Sequence, residues 1–191
     1  MQGLDSFLPQ DSIAKIKGLL KKYDCQLSIK SPRSTKLGDY KFYKGKHFIS
    51  INNNLNSYAF LITLVHEIAH MIVRENYSNR VLPHGKEWKY TFKILMLDFL
   101  PLFPENIQKQ LALHLKNPKA STSTDIALVK VLREYDNKTI LTIEDIPIGS
   151  TFLIPNGKAF IKGKKVRTRF ECISLRNNKT YLISPLAEVM I

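Results

Sequence analysis

The sequence predicts an α+β protein made of two parts, residues 1–118 and residues 119–191. In the first part, apolar residues recur at helical spacing around a few short alternating segments, which predicts helices beside a small β-sheet. The second part has a linker, a short helical segment and then alternating segments separated by turn dipeptides, which predicts a small antiparallel β-module. The hydrophobic fraction of 44% is ordinary for a protein with a packed core.

The first part opens with a predicted helix that Asp11 or Ser12 can cap and that ends at about Lys22. The elements predicted after it are a strand over residues 26–30, a hairpin over 40–51 and helices over 58–73, 84–100 and 105–115. The long apolar helix over 58–73 therefore follows directly on the predicted sheet.

The second part is predicted to begin with a linker over 117–124, which contains Pro, Ala, Ser and Thr, and a short helix over 125–135. Strands are predicted over 151–154, 159–161, 165–175 and 180–184, with turns at Asn156-Gly157, Lys162-Gly163 and Asn177-Asn178. We place the expected domain boundary between residues 118 and 119.

One motif in the long apolar helix carries chemistry, His66-Glu67-Ile68-Ala69-His70. Residues four apart share one helix face, so His66 and His70 can both turn an imidazole toward one ion. Glu67 is placed to hold a metal-bound water without binding the metal itself. Zn²⁺ with three protein ligands keeps an open position and lowers the pKa of its water to about 7. The motif therefore predicts a zinc hydrolase with Glu67 as the general base.

The same motif can arise by chance, with two histidines at the edge of a core and Glu67 in solvent. The helix around it argues against this, because its apolar residues predict burial on most sides. Burying His66, Glu67 and His70 together without a partner would cost much free energy. A metal ion would supply that partner.

A third ligand is expected, because three protein ligands are usual at a catalytic zinc. We favour His84, which lies just before the next helical segment, so that an antiparallel helix would bring it back to the first two histidines. Glu87 is the alternative, although it also fits as a first-turn acidic residue favoured by the helix dipole. His47 and His114 are expected to be ordinary surface or packing histidines.

The chain is strongly basic, with 29 Lys and Arg residues against 16 Asp and Glu and a net charge of +13. This excess favours polyanions, nucleic acid first and anionic membrane surfaces second. The best candidate for a DNA contact is the basic run in the β-module, which alternates with apolar residues and has no acidic residue within it. It consists of Lys158, Lys162, Lys164, Lys165, Arg167 and Arg169. The alternative is a set of solvated side chains that keep the protein soluble.

The motifs of residues 10–116 resemble those of the SprT-like metallopeptidase family, which includes the Spartan-type proteases that act on proteins crosslinked to DNA. The similar segments, in family order, are Ser34–Tyr40, Ile49–Asn52, Asn54–Asn56, Leu64–His70 and His84–Trp88. The resemblance implies a zincin-like core, one Zn²⁺ per chain with His66, His70 and His84 as ligands, and Glu67 as the catalytic glutamate. By analogy with zincins, an edge strand beside the metal helix would hold an extended substrate by backbone pairing.

Many members of that family end in a zinc ribbon with two pairs of cysteines, whereas this chain has only Cys25 and Cys172. Two cysteines so far apart cannot form a Cys₄ site, so no second zinc is expected. We expect no disulfide between them, no membrane span and no export signal, and therefore a cytoplasmic protein.

Three functions remain open from the sequence. The first is a zinc endopeptidase of SprT-like type that acts on DNA-associated or DNA-crosslinked proteins and binds DNA that is single-stranded or of any sequence. The second is a DNA-binding or adaptor protein whose metal site is structural or weakly active, although such a site has no need of Glu67. The third is a peptidase with no role on nucleic acid, whose basic surface attracts acidic substrates.

Overall fold

A computed structural model of the protein describes residues 3–33, 35–77 and 80–191. Met1, Gln2, Ser34, Ser78 and Asn79 lie outside these ranges. Ser34 is the first residue of the first family-like segment. The chain mixes helices and two sheets, as the predicted α+β class requires, and divides into two compact units, Met1–Asp136 and Asn137–Ile191. No helix within the described residues is both long and apolar enough to cross a bilayer.

The first unit contains one three-stranded sheet and five helices in its described residues. Its strands are β1 (Cys25–Lys30), β2 (Gly38–Tyr43) and β3 (Lys46–Asn52), and its helices are α1 (Ile13–Lys22), α2 (Ser57–Tyr77), α3 (Lys86–Phe99), α4 (Glu105–His114) and α5 (Ile126–Arg133). The strand order is β1-β3-β2, with β1 parallel and β2 antiparallel to the central β3. Strand β2 is therefore an edge strand.

Helix α2 is the centre of this unit. It contacts β2 and β3 on one side and α3 on another. Eleven of its residues are buried, because its apolar side chains extend round most of the helix and each needs a partner surface. The helix runs to Tyr77, four residues beyond the predicted end at Val73.

The short helix α5 packs with the first unit. Leu128 and Leu132 are buried in the same apolar core as α2 and α4. Asn56, just before α2, donates a hydrogen bond from Nδ2 to the carbonyl oxygen of Leu132 at 2.8 Å. An apolar helix stripe must be covered, and this core covers it. The chain therefore divides after Asp136, whereas the sequence led us to expect a boundary between residues 118 and 119.

The second unit is an antiparallel four-stranded sheet in the order β4-β5-β6-β7. Its strands are β4 (Thr151–Leu153), β5 (Ala159–Val166), β6 (Arg169–Ser174) and β7 (Thr180–Ile183). Its own small core contains Ile143, Ile146, Phe152, Phe160, Phe170, Cys172 and Val189.

The turn predicted at Lys162-Gly163 is wrong. Strand β5 continues through these residues to Val166, with a register shift between Lys162 and Lys165 that marks a β-bulge. A Cβ at residue 163 would stand 2.5 Å from the carbonyl oxygen of Glu171, so glycine serves here for close approach of two strands. The chain reverses instead after Val166, where Arg167 has a φ of 53°.

Candidate metal centre

Helix α2 places His66 and His70 one turn apart on the side of the helix that faces an open cleft. Because the buried residues around them hold the helix against the sheet and α3, the backbone positions of the two histidines are fixed by the core. Glu67 follows His66 and reaches the wall of the same cleft.

His84 joins them from the connection between α2 and α3. Its Nε2 atom lies 3.0 Å from Nε2 of His70 and 3.3 Å from Nε2 of His66, and the last two atoms lie 3.3 Å apart. Imidazole nitrogens bound tetrahedrally to Zn²⁺ at 2.0–2.1 Å would be about 3.3 Å apart. The three nitrogens thus form a triangle of the size that one zinc ion requires.

The electrostatics of this triangle suit a cation. Burial, together with the neighbouring histidines, lowers the pKa of His66 to about 3 and that of His70 to about 4. Burial also lowers the pKa of His84. All three rings are therefore neutral at neutral pH, as metal ligands must be. Within the described residues, no other group of His, Cys, Asp and Glu side chains converges in this way.

Trp88 forms the floor beneath the three histidines. Its ring centroid lies 4.5 Å from that of His66, 5.3 Å from that of His70 and 4.7 Å from that of His84. The indole is fully buried, and its Nε1–H points to the carbonyl oxygen of His66 at 3.4 Å. Trp88 thus packs the ligand-bearing turn of α2 against α3.

Glu67 is held against the edge strand β2. The backbone N–H of Tyr40 donates a hydrogen bond to its carboxylate, and the side chain is 7% exposed. Burial first, and the charge of Asp39 second, raise the pKa of Glu67 to about 8, against the opposing effects of Lys36, Arg33 and the Tyr40 N–H. At such a pKa the carboxyl group holds its proton at neutral pH, and the positive charge of a zinc ion beside it would favour the carboxylate that a general base requires.

The cleft above these residues has a volume of about 760 Å³. Its walls are the segment 35–40, the α2 residues already named, the segment 81–84 and residues 120–122. The loop before β2 is braced by Arg33, whose Nε donates to Oδ1 of Asn52 at 2.7 Å. Asn52 in turn donates from Nδ2 to the carbonyl oxygen of Lys36 at 2.9 Å. The wall opposite the histidines is therefore tied to the sheet.

The remaining candidates for ligands lie elsewhere. Glu87 is not part of the converging group, and its carboxylate lies 3.9 Å from Nζ of Lys86. His47 and His114 are buried, so the surface role that we allowed for them is wrong and the packing role stands. Both have a carboxylate partner. Nε2 of His47 lies 3.0 Å from Oε1 of Glu75, and Nδ1 of His114 lies 2.9 Å from Oδ2 of Asp125.

One of the six basic residues predicted to contact DNA, Lys162, is buried, so the prediction is wrong for this residue. Lys162 is 4% exposed, and its Nζ donates to the carbonyl oxygen of Ile146 and lies 4.2 Å from the centroid of the Phe170 ring. A buried ammonium group satisfied by carbonyls is a structural element and cannot reach a phosphate. The other five, Lys158, Lys164, Lys165, Arg167 and Arg169, are exposed.

Sequence reasoning gave no role at the site to Trp88, which is buried beneath the histidines, or to Tyr40, which lines the cleft. Trp88 lies in the helical segment predicted over 84–100, and its place four residues after His84 is the signal in the sequence that it faces the same side. Tyr40 was assigned to a strand, but its hydroxyl lies 2.9 Å from Nδ1 of His47 and its ring is parallel to that of His70, with centroids 6.5 Å apart. Only the position of β2 beside α2 reveals this contact.

Comparison with known families points to a metallopeptidase-like protein. The model of the SprT-like family matches residues 13–101, which contain His66, Glu67, His70 and His84. Residues 13–101 are therefore similar to the SprT-like family, a family of metallopeptidase-like proteins usually associated with zinc. The resemblance predicted from the sequence is confirmed for this part of the chain. A comparison with curated proteins and one with solved structures each found no significant match.

Proposed function

We propose that the protein is a zinc-dependent endopeptidase of SprT-like type with a zincin-like core, acting on proteins associated with or crosslinked to DNA. The observation that carries the catalytic part is the convergence of three Nε2 atoms, 3.0–3.3 Å apart, in a cleft that also contains Glu67. His66, His70 and His84 would hold the zinc, which supplies Lewis acidity to the substrate carbonyl and to a water molecule.

Other residues of the chain supply proton transfer and substrate binding. Glu67 takes the proton of the attacking water and passes it to the leaving amine. Strand β2 is the edge of its sheet, and Leu37 to Tyr40 line the cleft, so an extended substrate could pair with its backbone above the histidines. The cleft is open to solvent, which suits a segment of polypeptide.

The DNA-associated part of the proposal is supported by the net charge of +13. Proteins bound to DNA would be brought to the cleft if the basic surface holds the same DNA strand. In the alternative adaptor function, the metal site would be structural or weakly active. Glu67 would then have no chemical role, although it is buried beside three converging histidines.

The test is proteolysis by the zinc-loaded protein, with Glu67→Gln and Glu87→Gln as a matched pair. Both changes replace a carboxylate by an amide, but only Glu67 lines the cleft that contains the three histidines. We expect Glu67→Gln to bind one zinc and to lose at least about a hundredfold in turnover, as is typical for loss of a general base. Glu87→Gln should stay near wild type. A folded, zinc-loaded Glu67→Gln protein with wild-type turnover would exclude the proposed chemistry.

Adding single-stranded DNA to the same assay, with a DNA-binding protein and then casein as substrate, tests the second part. If DNA raises the rate of cleavage of the DNA-binding substrate and leaves that of casein unchanged, the DNA-associated part of the proposal is supported. Equal cleavage of both substrates with and without DNA would indicate a peptidase with no role on nucleic acid. Zinc binding with no cleavage of either would favour the adaptor function.

A further inference from the structure

We propose that a cavity within residues 137–191 is a binding site for single-stranded nucleic acid, in which Lys158, Arg169 and Arg176 contact phosphates and Tyr181 stacks on a base. The site rests on the proposed function and specifies where the nucleic acid would bind. It differs from the run of basic residues singled out in the sequence, because it adds Arg176 and Tyr181 and excludes Lys162, Lys164, Lys165 and Arg167.

The cavity extends along strand β7 from one end of the four-stranded sheet, since Tyr181, Leu182 and Ile183 all line it. It is bounded by the turn between β4 and β5, the turn between β6 and β7, and the C-terminal segment 184–188. Its volume of about 1140 Å³ exceeds the range of about 300–1,000 Å³ that small-molecule sites occupy. A cavity of this size and openness fits a segment of a polymer.

Most acidic residues of this unit lie outside the cavity. Two of them are close to lysines of β5, with Glu144 3.1 Å from Lys165 and Glu171 4.0 Å from Lys164. Asp145 accepts hydrogen bonds from Thr142. Glu188 is thus the one acidic residue of residues 137–191 that lines the cavity.

The cations of the cavity have no such partners. Lys158, Arg169 and Arg176 form no ion pair with a carboxylate in the described part of the chain, and all three are exposed. Arg169 makes one long contact, from Nη1 to the carbonyl oxygen of Leu182 at 3.5 Å. Because Lys158 and Arg176 come from separate turns, they can contact successive phosphates of one strand.

Tyr181 supplies an aromatic surface among these cations. Its side chain is 42% exposed, and its ring stands at 79° to that of Phe160, with centroids 5.7 Å apart. Nδ2 of Asn177 lies 3.1 Å from its hydroxyl oxygen and steadies the ring from the other side. Unpaired bases stack on such rings, whereas the bases of a duplex are already stacked on one another. The combination of free cations and an exposed ring therefore favours a single strand.

The test uses the full-length, zinc-loaded protein and a fluorescein-labelled dT12 oligonucleotide, with binding followed by fluorescence anisotropy across a salt series. The variant Lys158→Ser/Arg176→Ser is compared with Lys164→Ser/Lys165→Ser, which removes the same charge outside the cavity. We expect the first pair to lower affinity at least about tenfold and to reduce the salt slope by about 1.4, since each phosphate contact contributes about 0.7 for a single strand. The second pair should change both quantities much less. Equal losses in the two pairs, or no binding by the wild type, would overturn the site.

Tyr181 is tested with the same oligonucleotide and with a duplex of the same length. Tyr181→Ser should weaken single-strand binding about tenfold, within the range for loss of one stacked base, and Tyr181→Phe should restore it. Duplex affinity should be lower in the wild type and unaffected by either change. If inorganic polyphosphate competes as well as dT12 at equal phosphate concentration, the site recognises only charge and the proposal fails.

The failure of this site can be told apart from failure of the peptidase. Glu67→Gln should bind dT12 as the wild type does, because the glutamate is not in the cavity. Loss of oligonucleotide binding in Lys158→Ser/Arg176→Ser, with casein cleavage unchanged, supports the nucleic-acid site alone. Unchanged oligonucleotide binding in that variant overturns this site and leaves the peptidase proposal as it was.

Discussion

Gly38 lies so close to Glu67 that a Cβ atom at residue 38 would stand 2.7 Å from Oε1 of the Glu67 carboxylate. The same Cβ would stand 2.8 Å from Cγ2 of Thr63. Glycine at this position of β2 therefore lets the edge strand approach the helix closely enough for the Tyr40 N–H to bind the Glu67 carboxylate.

We predict that Gly38→Ala keeps the zinc and lowers peptidase turnover at least about tenfold. A Glu67 carboxylate displaced by about an ångström is no longer aligned to take a proton from the attacking water. Zinc content and turnover of the purified variant are the measurements. Gly18→Ala is the matched control, since Gly18 is in α1 with nothing within 4 Å of its added Cβ. It should leave turnover unchanged and raise the free energy of unfolding by about 0.5–1 kcal/mol. Wild-type turnover in Gly38→Ala would show that Glu67 does not need this contact.

We predict that metal binding can be followed by the fluorescence of Trp88, the only tryptophan of the chain. Its ring lies within 5.3 Å of the centroids of all three histidine rings, so an ion held by them changes its surroundings. Titration of metal-free protein with Zn²⁺ or Co²⁺ should give one transition that saturates at one equivalent. The change should be absent in His84→Ala and present in Glu87→Ala. The opposite outcome for these two variants would make Glu87 the third ligand.

We predict that Lys162→Ala lowers the free energy of unfolding of the second unit by about 2 kcal/mol, because it removes a buried aliphatic stem and leaves the carbonyl oxygen of Ile146 without a donor. Lys164→Ala, on an exposed side chain, should change stability by less than about 0.5 kcal/mol. Urea denaturation followed by circular dichroism measures both. Equal stability of the two variants would contradict the structural role of Lys162.

The pair His114–Asp125 gives a prediction with a defined pH range. Burial would raise the pKa of Asp125, but hydrogen bonds from His114 and from the N–H of Leu128, together with nearby positive charge, lower it overall. A carboxyl group with a lowered folded-state pKa contributes stability above its unfolded pKa of about 3.9 and loses it as the pH falls through the folded value. Asp125→Asn, which can still cap α5, should therefore be about 1.5 kcal/mol less stable than wild type at pH 7.

The difference between Asp125→Asn and wild type should shrink as the pH falls below about 4, where the carboxyl of the unfolded chain takes up a proton, and should be lost once the pH is below the lowered folded-state pKa. Denaturant unfolding at pH 7, 5 and 3.5 measures it. A difference that stays constant over this range would show that the charge of Asp125 contributes nothing and that only its cap to α5 matters.

The elements that the sequence predicted well are those set by local signals. The spacing of His66 and His70, and the position of His84 just before α3, required only helix periodicity and a helix start. The sequence could not place α5, because a linker-like composition says nothing about which core will cover Leu128 and Leu132. It also could not show that Lys162 is buried, since β5 needed a bulge beyond Lys162 that alternation alone does not reveal.

The three candidate ligands differ in how they are anchored. His66 and His70 belong to the most deeply buried helix of their unit, whose backbone amides should be among the last to exchange with deuterium. His84 belongs to neither helix and is held by a connection at the protein surface, with Leu82 76% exposed two residues before it. Loss of the ion should therefore begin with release of His84, and the rate at which a chelator strips the zinc should follow local opening of this connection rather than global unfolding.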